Sequence, residues 1–343
     1  MHLCLVAGDY SQSNVLEMLG NELKIKGHTV DTFFRKGGDR LNLEQIADSL
    51  DVATLAVVAM SDLCEEELFA VNRRCEKVQP FVLWADHRCY RLPAFEFVRN
   101  LFGSMFVLSG PQAAEAEKYF PNMDIVVTGN PSWEDFSTPK MSSSEAKVKL
   151  GIPDKSLVVL CVGDKYLDLN EALFLATIES VRMMGDGTRD VYVVLSLHPG
   201  DPNTPDTYAR FAADDVRVVG TRLGIPTSTI LSGCNVVVNF RSTVAVEAMH
   251  LRIPVIDYCP TVGMNRFWNG RLPIIGKDPS DNVELGTSVP VYFDSTCYLS
   301  YMIQSLLSLE GAGHMLEQQS RNYPARVKGE AIGKMIEHLL RGC

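Results

Sequence analysis

The chain has 343 residues, 46% of them hydrophobic and 22% charged, values that exclude wholesale disorder, collagen and coiled coil. At about 150 residues per domain, that length predicts two domains. Lys and Arg total 32 against 42 Asp and Glu, and the net charge of −10 disfavours nucleic-acid binding through bulk charge.

The opening run MHLCLVAGDYSQ has no basic flank and too short an apolar stretch for a signal peptide. No apolar run reaches the length of a membrane span. The nine cysteines are scattered, with no CxxC pair, and several fall inside apolar runs. The expectation is reduced core thiols in a cytoplasmic protein.

In chain order, the apolar run 3–7 predicts a first strand, closed by Gly8 and Asp9. Residues 12–26 place Val15, Leu16, Leu19 and Leu23 at helical spacing, with Gly27 as the stop. Further strands are expected at 29–34, 54–60, 80–86, 105–109 and 124–129. Helical segments at 42–50, 64–77, 93–101 and 111–119 lie between them. Strands joined by helical crossovers run parallel and take helices on both faces. Residues 130–156 are rich in Pro, Ser and charge, and hold one helical piece that Ser143 or Ser144 can cap. The alternation then restarts with strands at 157–163, 191–197, 216–220, 235–240 and 254–259. Helices at 168–184 and 242–251 and a helical tail over 298–343 complete the pattern. The fold class is α/β, with two doubly wound parallel-sheet domains facing a cleft. The boundaries are 1–135 for the first domain, 136–156 for a linker and 157–310 for the second. Helices over 311–343 are left to pack back on the first domain.

Open parallel sheets bind ligands at the carboxyl ends of their strands. In the second domain those ends carry Gly163, Asp164 and Lys165, a glycine for close approach and a lysine for charge. They also carry His198, a donor to phosphate as neutral or charged imidazole. Arg241, Ser242 and Thr243 open the helix after 235–240, where amides, hydroxyls and the helix dipole favour an anion. Glu247 follows one turn on and suits a pair of vicinal ribose hydroxyls. In the first domain, Asp9, Asp86 and His87 are the candidates for a general base, and Asp62 and Glu65 follow the strand at 54–60. GxGxxG, GxxxxGK[ST] and GxSxG are absent, which argues against dinucleotide, P-loop and α/β-hydrolase chemistry. No metal site is expected.

Three segments carry a family resemblance. LCLVAGDYSQSNVLEMLGNELKIKGHTVDTFF (3–34) is similar to the strand–loop–helix–strand opening of GT-B glycosyltransferases, which ends in GHxV. IVVTGNPSWEDF (125–136) resembles the TGNP segment of the lipid-A-disaccharide-synthase and UDP-GlcNAc 2-epimerase branches. LSLHPGD (195–201) and NFRSTVAVEAMHLRIPVI (239–256) resemble the HP and S-S/T…E motifs of bacterial sialyltransferase-like, Kdo-transferase-like and glycerophosphotransferase-like members.

The resemblance implies two tandem Rossmann-like domains, with a nucleotide-sugar donor held by the second. His198, Ser242 and Thr243 would touch the donor phosphate, and Glu247 the ribose or sugar. ADHRCYR (85–91) stands where the epimerases carry HxEAGxR, without that glutamate and glycine, and the epimerase GGxxEE glycines are missing too. The implied activity is metal-independent transfer of a sugar from a UDP- or CMP/CDP-linked donor to an acceptor hydroxyl. The alternatives are a non-hydrolysing 2-epimerase or an inactive binding protein. A homodimer is compatible with this reading.

Overall fold

The computed structural model describes residues 1–8, 10–35, 41–60, 65–85, 93–98, 100–185, 190–220, 223–240, 242–268, 283, 285–323 and 327–341. The chain divides into two compact units, Met1–Asp135 with Arg326–Cys343, and Phe136–Ala325. Each unit is built on one parallel sheet.

The first unit contains β1 (His2–Ala7), α1 (Tyr10–Ile25), β2 (Thr29–Phe34), α2 (Leu43–Val52), β3 (Leu55–Met60) and α3 (Glu65–Glu76). It continues with β4 (Phe81–Ala85), a 3-10 turn (Pro93–Val98), β5 (Gly103–Val107), α4 (Gly110–Tyr119) and β6 (Met123–Val127). The strand order is β2-β1-β3-β4-β5-β6, with every pairing parallel. β3, β4 and β1 from Leu3 onward are apolar because helices cover both faces.

The second unit opens with α5 (Ser143–Leu150), which contacts α7 (Thr227–Gly233) through Ala146 against Gly233. Ser142 caps α5, and Glu145 returns the bond to the Ser142 amide at 2.9 Å. The cap therefore lies one residue before the predicted Ser143 or Ser144, because the glutamate three positions on selects Ser142. Then follow β7 (Leu157–Val162), α6 (Leu167–Met183), β8 (Val191–Leu197), β9 (Val216–Gly220) and β10 (Val236–Asn239). α8 (Val244–His250), β11 (Val255–Cys259), α9 (Thr261–Trp268) and β12 (Val289–Tyr292) come next, with α10 (Thr296–Leu306) and α11 (Leu309–Asn322) after them. The order is β12-β11-β10-β7-β8-β9, again parallel throughout. Consecutive strands thus run outward from β7 to β9, then restart beside β7 at β10.

Burial raises the Cys4 and Cys161 thiols to about 11 and about 12, so both behave as small apolar core groups. Among the described residues no helix is long and apolar enough to cross a membrane.

The last helix, α12 (Glu330–Arg341), belongs to the first unit and contacts α1. Its first amides are held by buried Glu134, which accepts from Gly329 and Ala331, each at 2.6 Å. His338 on the same helix meets the Ser104 hydroxyl at 2.9 Å and stands edge-on to Phe106. Replacing Glu134 with Ala strands two amide donors and should destabilise the fold by about 2 kcal/mol. Hydrogen exchange should then rise first in residues 330–341, and unchanged protection there would contradict this anchoring.

Candidate functional site

In an open α/β sheet the ligand crevice forms where the strand order reverses. In the second unit that point lies between β7 and β10, with β8 on the far side of β7. The three carboxyl ends carry Lys165, Ser242 and Thr243, and His198. Strands 4.7–4.9 Å apart put the ends of β8 and β10 roughly 10 Å from each other.

Gly163 is held by the protein itself. A Cβ there would lie 3.0 Å from the Ser196 carbonyl, 3.1 Å from Asn170 Oδ1 and 3.1 Å from the Phe174 ring. Its N–H donates to Ser196 O at 2.8 Å. The next two amides are also occupied, Asp164 N by Asn170 Oδ1 at 2.6 Å and Lys165 N by Asp164 Oδ1 at 2.5 Å. The loop therefore offers the Lys165 ammonium rather than a cradle of amides. Lys165 is exposed, and its Cε lies 3.6 Å from the position a Cβ on Gly200 would take.

His198 sits at the start of a tight turn. Its Nδ1 accepts the Gly200 N–H at 2.9 Å. With Nδ1 accepting, Nε2 is the ring nitrogen left to donate. A Cβ at Gly200 would come within 3.2 Å of the His198 Cε1 and Nδ1 atoms, so the ring lies directly on the glycine.

At β10 the helix start is largely satisfied from within. Asn239 Oδ1 accepts from Ser242 N at 3.0 Å, and Ser242 Oγ accepts from Val244 N at 3.2 Å. The Ser242 hydroxyl keeps its proton for an outside acceptor. Thr243 is exposed, and its amide has no partner among the described residues. Buried Asn239 is itself oriented by Asp257 at 2.9 Å, and Asp257 is held by Ser288 at 2.5 Å.

Glu247 lies on α8 with its amide 3.4 Å from Thr243 O, one turn behind the exposed threonine. Its carboxyl is half-buried and has no hydrogen-bond or ion-pair partner among the described residues. Burial raises it from 4.5 to about 7.

The sequence candidates Lys165, His198, Ser242, Thr243 and Glu247 thus sit on neighbouring strand ends of one sheet edge. Arg241, Asp9, Asp62, Asp86 and His87 lie outside the described residues. Glu65 is exposed at the start of α3, and the buried glutamates are its neighbours Glu66 and Glu67. Glu67 accepts from Gly8 N at 2.9 Å, and Glu66 accepts from Leu41 N at 3.3 Å. Gln12 donates to Met60 O at 2.6 Å beside the switch point of the first sheet. Helical spacing holds the signal for this pair, since Glu66 and Glu67 stand four residues before buried Ala70 and Val71. Among the described residues no group of three His, Cys, Asp or Glu gathers as a metal site.

No protein-family model matches the chain, and no curated protein sequence does. Solved structures do. The fold is GT-B. The UDP-GlcNAc 2-epimerase of Neisseria meningitidis bound to UDP-GlcNAc matches with a TM-score of 0.67 at 15% identity, covering 99% of this chain and all (100%) of its own. Staphylococcus aureus MnaA with UDP matches at 0.65 and 12% identity, over 98% of this chain and 95% of that one. A glycosyltransferase from Rickettsia africae matches at 0.60 and 11% identity, over 98% and 97%.

Two outcomes follow. Gly200→Ala should push the His198 ring off its amide, and the nitrogen-15 shifts of that ring should lose the pattern of a protonated Nε2 with an accepting Nδ1. An unchanged pattern would contradict the assignment. Because Glu247 is raised above its unfolded value of 4.5, its contribution is most favourable below that pH and is lost as pH rises toward about 7. Glu247→Gln should therefore gain stability over the wild type between pH 5 and pH 8, by about 2 kcal/mol. Parallel denaturation curves at both pH values would contradict it.

Proposed function

We propose that the second unit holds a nucleotide sugar at the β7–β10 switch point and that the chain is a glycosyltransferase. The observation that carries the reading is Glu247, a half-buried carboxyl without a partner one turn behind the hydroxyls of Ser242 and Thr243. A ribose diol supplies two donors to such a group. Donation to the ionised form lowers its pKa again, so ligand binding and proton release are coupled.

The donor's phosphates would meet the Lys165 ammonium, the His198 Nε2–H and the Ser242 hydroxyl. As the acceptor oxygen attacks the anomeric carbon, the bond from that carbon to the phosphate oxygen breaks. Negative charge then collects on the departing nucleotide, where these three donors stabilise it without a divalent ion. The acceptor's proton goes to a base, for which Asp86, His87 and Asp9 are the sequence candidates. UDP or a UDP-sugar is bound in several of the similar structures, including Anabaena HepE with UDP-glucose, which favours a UDP-linked donor. A 2-epimerase is the second reading, favoured by the number of epimerases among these likenesses.

Calorimetric titration with UDP tests the site. The wild type should bind, and Lys165→Ala and His198→Ala should each weaken binding by about ten-fold or more. Glu247→Gln should erase the preference for UDP over 2′-deoxy-UDP. Absence of UDP binding, or a preference untouched by that substitution, would refute the assignment. Incubation with UDP-GlcNAc alone separates the two activities, because an epimerase inverts C2 with no acceptor, whereas a transferase leaves the sugar unchanged.

A further inference from the structure

The loop after β7 and the turn after β8 are fastened to one another beneath the proposed phosphate site. Asn170, on the first turns of α6, is completely buried. Its Oδ1 accepts the Asp164 N–H at 2.6 Å, which fixes the orientation of the amide. Its Nδ2 then lies 2.9 Å from three acceptors, Asp164 O, Asp201 Oδ2 and the Tyr208 hydroxyl oxygen. Asp201 is 1% exposed. Its Oδ2 also accepts from the Tyr208 hydroxyl at 2.5 Å, and its Oδ1 takes Asn203 N at 2.8 Å and Asn203 Nδ2 at 2.7 Å. The Asp201 amide closes the His198 turn by donating to His198 O at 3.0 Å. Burial, followed by the Asp201 carboxylate, pushes Tyr208 up to about 12, so its hydroxyl stays a donor.

Such a cluster is expensive to bury and gains its worth from complete satisfaction. A simple loop anchor does not need a buried carboxylate. The carboxylate here ties together the backbones that carry Lys165 and His198, which otherwise belong to different strand ends. The missing side chain of Gly163 makes room for the Asn170 amide, so glycine there serves this clamp.

We infer that Asn170, Asp201 and Tyr208 are positioning residues that set the spacing of Lys165 and His198 for a diphosphate. The inference rests on the proposed nucleotide-sugar site. Its reach is specific: breaking the clamp costs the phosphate-dependent part of binding and leaves the nucleoside part intact.

The test compares UDP with uridine on the full chain, UDP by calorimetry and uridine by NMR titration. Asn170→Asp keeps the acceptor for Asp164 N–H and sets a carboxylate against Asp164 O and Asp201. It should reduce the UDP-to-uridine affinity ratio by about ten-fold or more, with uridine affinity within about two-fold of wild type. Tyr208→Phe removes one donor and keeps the ring against Phe174, and should reduce the ratio by about three-fold. If Asn170→Asp does not fold, Tyr208→Phe and Asn170→Ser decide by the same ratio. A folded variant with an unchanged ratio overturns the inference, as do parallel losses for UDP and uridine. A wild type that binds no UDP overturns the nucleotide-sugar reading itself and this inference with it.

Discussion

Every strand of the second sheet runs the same way, and the order reverses once, between β7 and β10. That single reversal decides where chemistry can sit. Parallel strands send all their carboxyl ends to one edge, and the loops leaving β7 and β10 diverge to opposite faces. The loop after β7 carries Lys165, the loop after β10 carries Ser242 and Thr243, and His198 follows β8 one strand further on. Nothing in this arrangement depends on a particular loop length. It depends on two adjacent strands whose crossovers turn in opposite directions.

The edge offers few backbone amides. Gly163, Asp164 and Lys165 spend theirs on Ser196, Asn170 and Asp164, and Ser242 and Val244 spend theirs on Asn239 and the Ser242 hydroxyl. On the proposed reading, binding at this edge falls to side chains: an ammonium, an imidazole whose Nδ1 already accepts a bond, hydroxyls and a carboxyl that burial raises to about 7. Two buried networks, Asn170–Asp201–Tyr208 and Asn239–Asp257–Ser288, hold the loops that present them. A buried polar network persists only when each member is satisfied, as the bonds of these two show.

Much of the fold was legible because parallel strands are buried on both faces and read as unbroken apolar runs. The strands at 29–34, 191–197 and 216–220 coincide with their predicted spans. β12 was missed because it is four residues long and carries Pro290, and proline suits only an edge strand. α7 was missed because Thr227–Gly233 holds two threonines, two serines and a glycine, a composition that reads as loop. The stretch 93–101 formed a 3-10 turn over Pro93–Val98 instead of a full helix. At the site, strand-end position pointed to His198 and Glu247. Their states were not readable: the imidazole tautomer depends on the Gly200 amide, and the Glu247 carboxyl depends on burial by the fold. Asp201 and Tyr208 lie 31 and 38 positions from Asn170, so only the folded chain brings them to it. Gly163 was read as a glycine for phosphate approach, and its room is filled by Asn170 and Phe174.

The central claim is that one sheet edge of the second unit grips a nucleotide. The most direct measurement is an amide chemical-shift map of the nitrogen-15-labelled protein on addition of UDP. The account predicts shifts gathered in residues 163–166, 198–201 and 242–247. Saturation with the changes gathered elsewhere, or no change at millimolar UDP, would contradict it.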